Sequence, residues 1–256
     1  VNRIITLTTD FGTRDWFVGA MKGVILGIAP GAAVVDVTHD IPPGDIRAGA
    51  FALAAGCRFF PKGTVHVVVV DPGVGGARGA IAVQTVNHFF VAPDNGVLSL
   101  AVAREAIRDV RRLENEEFFL HPVSRTFHGR DVFAPVGAHL SRGISIRRLG
   151  RAQEEFVRLP WPEPRVYSRR IEGEVVYIDG FGNAITNIRT ATLADRGGAA
   201  FAGRKRLGPL KSFYQSVGAG QAAAVPGSSG FVEIAVNGGS AARRLGLRVG
   251  MPITVR

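Results

Sequence analysis

Cysteine is almost absent. Cys57 is the single thiol in 256 residues, so no disulfide can form within the chain. That suits a reducing compartment, and a cytoplasmic location is the expectation. Long apolar runs are missing too. No stretch approaches the roughly eighteen consecutive apolar residues of a membrane helix, so no membrane span is expected. The opening Val1-Asn2-Arg3 leads into a strand-like run without the charged, apolar and small-residue regions of a secretory leader. Lysine is scarce: four lysines stand against twenty-seven arginines in a chain of net charge +10. Such a surplus can attract nucleic acid. Here the basic residues are dispersed, forming only small clusters such as Arg204-Lys205-Arg206 and Arg243-Arg244, and no nucleic-acid motif accompanies them. A compositional preference for arginine accounts for them, and no nucleic-acid partner is expected.

What is present is an ordinary globular balance, 46% hydrophobic and 20% charged, in a chain long enough for one large or two smaller cores. Ile4–Thr9 reads as a buried strand ending at Asp10. Trp16–Ile28 repeats apolar residues with helical period and stops at Pro30-Gly31. Ala33–Thr38 is a strand running into His39-Asp40, Ile46–Phe59 a helix, and Val65–Val70 a strand running into Asp71. This alternation predicts a parallel sheet covered on both faces, with right-handed crossovers placing Asp10, Asp40 and Asp71 along one edge. In open α/β sheets ligands bind at that edge. A hairpin around Asn87 (Ile81–Val86 and His88–Ala92), a helix over Leu98–Ala106, a polar loop at Thr126–Arg130 and a helix over Asp131–Leu140 come next.

The chain then changes character. Leu159-Pro160-Trp161-Pro162-Glu163-Pro164 reads as a stiff linker. Beyond it come short strands, Glu174–Ile178, Ala184–Ile188, Phe231–Val236 and Pro252–Val255, separated by glycine-rich turns. The expected fold is therefore an N-terminal α/β domain with a largely parallel central sheet (residues 1–158), a linker (159–170) and a smaller C-terminal β-barrel domain (171–256).

Several polar constellations are candidates for chemistry. Asp71-Pro72-Gly73-Val74-Gly75-Gly76-Ala77-Arg78 is a glycine-rich loop after a strand, but Arg78 stands where a dinucleotide fingerprint needs its third glycine. The segment after it reads as strand, whereas phosphate cradling needs a helix N-terminus. A nucleotide-phosphate loop is excluded, leaving either a polar pair at a strand end or a tight turn with a surface arginine. Asp10, in Asp10-Phe11-Gly12-Thr13-Arg14-Asp15, can accept from a ribose diol or cap the next helix, although Thr13 and Asp15 are better placed to cap. His128, in Thr126-Phe127-His128-Gly129-Arg130-Asp131, fits a structural or a catalytic role. His39, Asp40, Asp71 and His128 leave a metal-dependent hydrolase open, but no pair has a helix-face ligand spacing. In the C-terminal part, Asp179-Gly180-Phe181-Gly182-Asn183 pairs an aromatic with an amide, suited to a flat heterocycle or to a plain hairpin loop. Glu233 interrupts an apolar strand ending at Val236-Asn237-Gly238. It suits purine recognition or the solvent face of an edge strand.

Taken together, Thr-Asp-Phe-Gly at the first strand end, Asp71-Pro72-Gly73-Val74-Gly75, Ala92-Pro93-Asp94-Asn95-Gly96, Thr126–Asp131 and Asp179-x-Phe181-Gly182-Asn183 resemble the S-adenosylmethionine hydroxide adenosyltransferase family, relatives of the fluorinase and chlorinase enzymes. The resemblance spans essentially the whole chain. It implies hydrolysis of S-adenosyl-L-methionine to adenosine and L-methionine, by water held by Asp71, Arg78 and His128, with no metal or other cofactor. It implies that Asp10 holds the ribose with Asp15 nearby. Phe181, Asn183, Ser228, Glu233, Val236 and Gly238 would line the nucleoside pocket, and Tyr214 would touch the methionine part or close the pocket. It further implies a homotrimer, the ligand lying between the N-terminal domain of one subunit and the C-terminal domain of its neighbour. The halogenating relatives carry tyrosine at the Asp71 position, and the fluorinase has serine at Gly129, tryptophan at Gly44 and an insertion near Asn87. Those differences imply water rather than halide as nucleophile. A halogenase of the same fold and a non-catalytic adenosine- or S-adenosylmethionine-binding protein remain the alternatives.

Overall fold

In the computed structural model, which describes residues 4–193 and 198–256, the chain divides into two units, Val1–Leu159 and Pro160–Arg256. The first unit runs β1 (Ile4–Thr9), α1 (Phe17–Ile28), β2 (Ala33–Thr38), α2 (Ile46–Gly56), β3 (Val65–Val69), β4 (Ala80–Thr85), β5 (Phe89–Pro93), α3 (Ser99–Val102), β6 (Ile107–Arg112) and α4 (Ala134–Ser141). Its sheet has the order β2-β1-β3-β5-β4-β6. β1 is parallel to β2 and β3, and β3 to β5, while β4 is antiparallel to both its neighbours. The mostly parallel sheet expected from the alternating elements is therefore present.

The apolar runs of β1 and β3 have a simple cause. Both strands lie inside the sheet, and Ile5, Leu7, Val65, Val67 and Val68 are all fully buried, as strands covered on both faces must be. α1 turns Val18, Met21 and Ile25 to the core. α2 is capped by Asp45, whose Oδ1 accepts from Ala48 N at 2.9 Å. α1 has Trp16 at its N-cap with no side-chain bond, so neither Thr13 nor Asp15 caps it. Strand register brings two acidic residues to one place. Thr9 lies opposite Val69, so Asp10 and Asp71 leave the sheet at the same edge.

Two helices of the first unit differ from the sequence expectation. The helix over Leu98–Ala106 shrinks to Ser99–Val102. Glu105 is the reason: its carboxylate takes His88 Nδ1 at 2.7 Å and the Thr85 hydroxyl. That pins the chain beside the β4–β5 hairpin and sends Ile107–Arg112 into the sheet as β6. The helix expected from Asp131 starts earlier, as a wide turn over Gly129–Phe133 in which Ala134 N reaches Gly129 O. Pro135 has no N–H to offer the Asp131 carbonyl, which instead accepts from Leu120 N at 2.8 Å.

The second unit contains β7 (Arg165–Val166), β8 (Ile171–Ile178), β9 (Ala184–Arg189), β10 (Ala199–Ala202), β11 (Lys205–Pro209), β12 (Ala222–Pro226), β13 (Phe231–Val236), α5 (Ala241–Leu245) and β14 (Pro252–Val255). The strands are in the order β11-β10-β14-β8-β9-β13-β12, all antiparallel, with β7 added to β8. The two ends of the sheet meet where Lys211 N donates to Ala224 O at 2.9 Å, which nearly closes a barrel around Ile171, Val175, Ile188, Val232 and Ile234. β7 falls within the stretch read as linker, where Asn187 also donates to Pro162 O at 2.8 Å. Among the described residues, no helix is long and apolar enough to cross a membrane.

α4 lies close on β3 at one point: a Cβ on Gly137 would stand 2.5 Å from Val67 Cγ2. Alanine normally favours a helix over glycine by about 1 kcal/mol, but here the methyl has no room. Gly137→Ala is expected to lower stability by about 1–3 kcal/mol through overpacking, read as a fall in the urea midpoint; an unchanged or raised midpoint contradicts this close packing.

Candidate active site

Asp71 ends the run out of β3, and Arg78 lies seven residues on, across the glycine loop. The loop folds back so that the guanidinium grips the carboxylate. Nε donates to Oδ1 at 2.9 Å and to Oδ2 at 3.0 Å, and Nη2 also donates to Oδ2. The carboxylate side chain is 4% exposed and the arginine 13%. Nη2 also donates to His128 Nδ1 at 2.7 Å. The guanidinium sits 5.4 Å from the Phe133 ring centroid, a favourable cation–π placement. Asp71, Arg78 and His128 thus meet although fifty residues separate the arginine from the histidine.

Arginine stays protonated and has no acceptor atom. A histidine nitrogen that receives its hydrogen bond must be bare, so His128 Nδ1 is the acceptor and Nε2 carries the hydrogen. Burial holds His128 below the ordinary histidine range, the Arg78 charge adds to that, and Asp71 and Asp131 oppose it. The imidazole is therefore neutral and presents an N–H donor.

Glycine lets the two loops that carry these groups touch. Gly75 has φ +73°, and a Cβ there would lie 2.1 Å from the Arg125 carbonyl oxygen. Beside the triad is a cavity of about 160 Å³ lined by Phe11, Phe17, Val69, Asp71, Val74, Thr126, Phe127, His128 and Gly129. Phe127 packs edge-on against Phe17 at 5.1 Å. Apolar walls lower the local dielectric and so strengthen polar interactions beside them.

Asp10 lies half-buried at the same sheet edge. Its Oδ2 accepts from Gly44 N at 2.8 Å, and burial pushes its carboxyl above the ordinary value, against the Gly44 hydrogen bond. Asp15 is exposed on the loop before α1. His39 is committed elsewhere, its Nδ1 2.8 Å from Thr9 Oγ1 and its Nε2 3.0 Å from Asp36 Oδ1. Asp40 is exposed. Among the described residues, no group of three or more His, Cys, Asp or Glu side chains is placed to share a metal ion.

The second unit holds a separate cavity of about 570 Å³. Phe181, Asn183, Tyr214, Ser228, Glu233, Val236 and Gly238, all singled out in the sequence, line it together. Asp179 shapes one wall: its Oδ1 accepts from Phe181 N at 3.0 Å and Asn183 N at 2.8 Å, and its Oδ2 from Asn183 Nδ2 at 3.0 Å. That bracing leaves the Phe181 ring 83% exposed. Glu233 is 4% exposed, inside the sheet between β9 and β12 rather than on an edge. Its Oε2 accepts from the Tyr214 hydroxyl at 2.8 Å. Burial raises the Glu233 carboxyl, Asp179 adds to this and Tyr214 opposes it. Burial, then the Glu233 hydrogen bond, pushes the Tyr214 phenol up to about 12, so it remains a donor.

Sequence reasoning missed Phe11, Phe17 and Val69 as cavity walls and Arg243 as a residue of the second cavity. The aromatic cluster around Phe127 had a signal, since Phe11, Trp16 and Phe17 crowd the first strand-end motif and Phe127 the histidine motif. Arg243, one of many arginines, had none.

Residues 5–150 match the family model described as the SAM hydroxide adenosyltransferase N-terminal domain, and residues 173–254 match that of the C-terminal domain. An (R)-S-adenosyl-L-methionine hydrolase from Thermus thermophilus is 40% identical over 260 residues, covering 98% of this chain and 98% of its own length. A fluorinase from an Actinoplanes species is 28% identical over 291 residues, covering 99% of this chain and 97% of its own. The crystal structure of an uncharacterized conserved protein from Thermotoga maritima superposes with a TM-score of 0.92 at 38% identity, over 98% of this chain and 99% of that one. Matched across both units, the chain belongs to the SAM hydroxide adenosyltransferase family.

Proposed function

We propose that this protein hydrolyses S-adenosyl-L-methionine to adenosine and L-methionine, with Asp71, Arg78 and His128 aiming a water at C5′. The observation that carries this reading is the single guanidinium joined to both Asp71 and His128 at the edge of an apolar cavity. In the reaction the water oxygen bonds to C5′ as the C5′–S bond breaks, the sulfur takes the electron pair, and one proton is released. Sulfur loses its positive charge, so methionine leaves readily and the poor nucleophile is the obstacle. Holding the water in line removes much of the entropic barrier.

The hydrogen-bond roles divide the work. Asp71 Oδ1, with a single Arg78 bond against two on Oδ2, keeps an unused lone pair and can accept a water O–H. The His128 Nε2 hydrogen can donate to the water oxygen, and the Arg78 charge favours developing hydroxide. His128 in this arrangement donates rather than abstracts, so Asp71 orients the water and is the nearest group to take its proton. No step uses a metal or other cofactor. Asp10 is assigned to the ribose hydroxyls and Asp15 to the neighbouring part of the substrate. In the second cavity, Phe181, Asn183, Ser228, Val236 and Gly238 are assigned to the nucleoside. Tyr214 and Glu233 form its polar wall. The function belongs in the cytoplasm, in keeping with one buried thiol.

The same reading takes the working form to be a homotrimer in which one copy supplies the triad and a neighbour the nucleoside cavity. The large exposed rings of Trp16 (70%) and Phe181 (83%) support a covered surface on each unit. A solution mass of one chain in an active sample removes this assembly.

A buried carboxylate is a poor neighbour for halide, and a side chain at Gly129, where the fluorinase resemblance places serine, would meet Phe127, Met21 and Phe11 at 3.2–3.3 Å. Incubated with S-adenosyl-L-methionine and excess chloride or fluoride, the protein is expected to yield adenosine and equimolar methionine by chromatography. A 5′-halo-5′-deoxyadenosine product overturns the choice of water, and tight binding without turnover overturns the enzyme. In the same assay Asp71→Asn is expected to lower kcat about 10²- to 10⁴-fold; near-native rates across pH remove Asp71 from the mechanism.

A further inference from the structure

Beneath the triad lies a charged group that takes no part in the hydrolysis just described. Asp131 is 0% exposed, and a wholly buried carboxylate is costly unless its oxygens are fully engaged. Here they are. Oδ2 accepts from Ser124 N at 2.8 Å, Oδ1 from Arg130 Nε at 2.6 Å, and Oδ2 again from Arg130 Nη2 at 3.1 Å. Ser124 precedes His128 by four residues and Arg130 lies two beyond it, so this carboxylate closes a ring of hydrogen bonds around the histidine. Within the ring, Thr126 N donates to Ser124 Oγ at 3.2 Å and the two hydroxyls lie 3.1 Å apart.

The anchoring extends to the cavity wall and to the main chain. Arg130, held by Asp131, lies 5.2 Å from the Phe127 ring centroid, and Phe127 lines the cavity beside His128. Asp131 N donates to Phe127 O at 3.1 Å, and its carbonyl, released by Pro135, takes Leu120 N. Side chain and backbone of this one residue thus tie down the segment that carries His128. We propose that Asp131 is a positioning residue that fixes His128 where its Nδ1 receives the Arg78 hydrogen bond and its Nε2–H faces the nucleophile. For its activity readout this rests on the hydrolase reading.

The test combines steady-state kinetics with NMR titration of His128 in the full chain carrying labelled histidine. The charges acting on His128 are Arg78, which lowers its proton affinity, and Asp71 and Asp131, which raise it. Asp131→Asn keeps the shape and the Ser124 acceptor but loses the charge. It is expected to lower kcat ~10-fold or more with KM within about threefold, and to move the His128 titration to lower pH. Arg130→Met, at a side chain 36% exposed, removes the countercharge and is expected to move that titration to higher pH. Opposite shifts, with the Nε2–H tautomer of His128 lost from its nitrogen resonances in Asp131→Asn, support the proposal, because charge proximity alone moves the titration without releasing the tautomer; a retained tautomer overturns it. Shifts in the same direction, no shift in either variant, or an Asp131→Asn kcat within about threefold of wild type overturn it. Should Asp131→Asn fail to fold, Arg130→Met, which releases the Asp131 carboxylate, decides alone: loss of the His128 Nε2–H tautomer supports the proposal and its retention overturns it. If the wild-type protein makes no adenosine, the hydrolase reading fails while the titrations still judge the positioning role.

Discussion

Arg78 carries a charge that it cannot give up, and the rest of the site is arranged around that permanence. One guanidinium reaches both Asp71 and His128. It commits one face of the carboxylate and fixes the tautomer of the histidine, because an acceptor nitrogen cannot also bear a proton. A lysine has no planar fork to do this. The remainder of the first unit serves that contact. The register of β1 on β3 brings Asp10 and Asp71 to one edge. Gly75 allows the arginine loop to press on the Arg125 carbonyl. The wide turn at Gly129–Phe133 delivers His128 and Phe133 together.

The second unit solves a different problem, presenting flat and polar surface from a small barrel. Asp179 spends its carboxylate on the backbone of its own turn, which leaves the Phe181 ring outward and Asn183 buried. Glu233 is held in the sheet with its charge answered by the Tyr214 hydroxyl. Each unit therefore has a carboxylate spent on local hydrogen bonds, Asp131 behind the first cavity and Asp179 in the wall of the second. Buried polar networks of this kind specify a unique geometry when every member is satisfied.

How much of this was legible depends on how local the cause is. β1 and β3 were readable because strands covered on both faces become unbroken apolar runs, and α1 because Phe17, Ala20, Met21, Val24, Ile25 and Ile28 repeat with helical period. β6 was hidden by its edge-strand polarity, and its start depends on Glu105 meeting His88. β10 and β12, alanine-rich as Ala199–Ala202 and Ala222–Pro226, have too little contrast for an alternating pattern. They are strands because neighbours pair with them. The helix start at Gly129 turned on a proline six residues later. In the site, Asp71 and Arg78 could be seen as a polar pair at a strand end. His128 joins them from fifty residues away, and only the joint motifs of a family resemblance linked it to them. The tautomer of His128, the Tyr214–Glu233 bond and the role of Asp131 are consequences of packed geometry that no spacing reveals.

In the proposed reaction water attacks C5′ and displaces sulfur. Running the reaction in ¹⁸O-labelled water and taking the mass spectrum of the adenosine tests it most directly. One ¹⁸O is predicted in the 5′-hydroxyl of every adenosine formed, with unlabelled methionine. Adenosine whose 5′-oxygen is unlabelled, or label appearing in methionine instead, would contradict it.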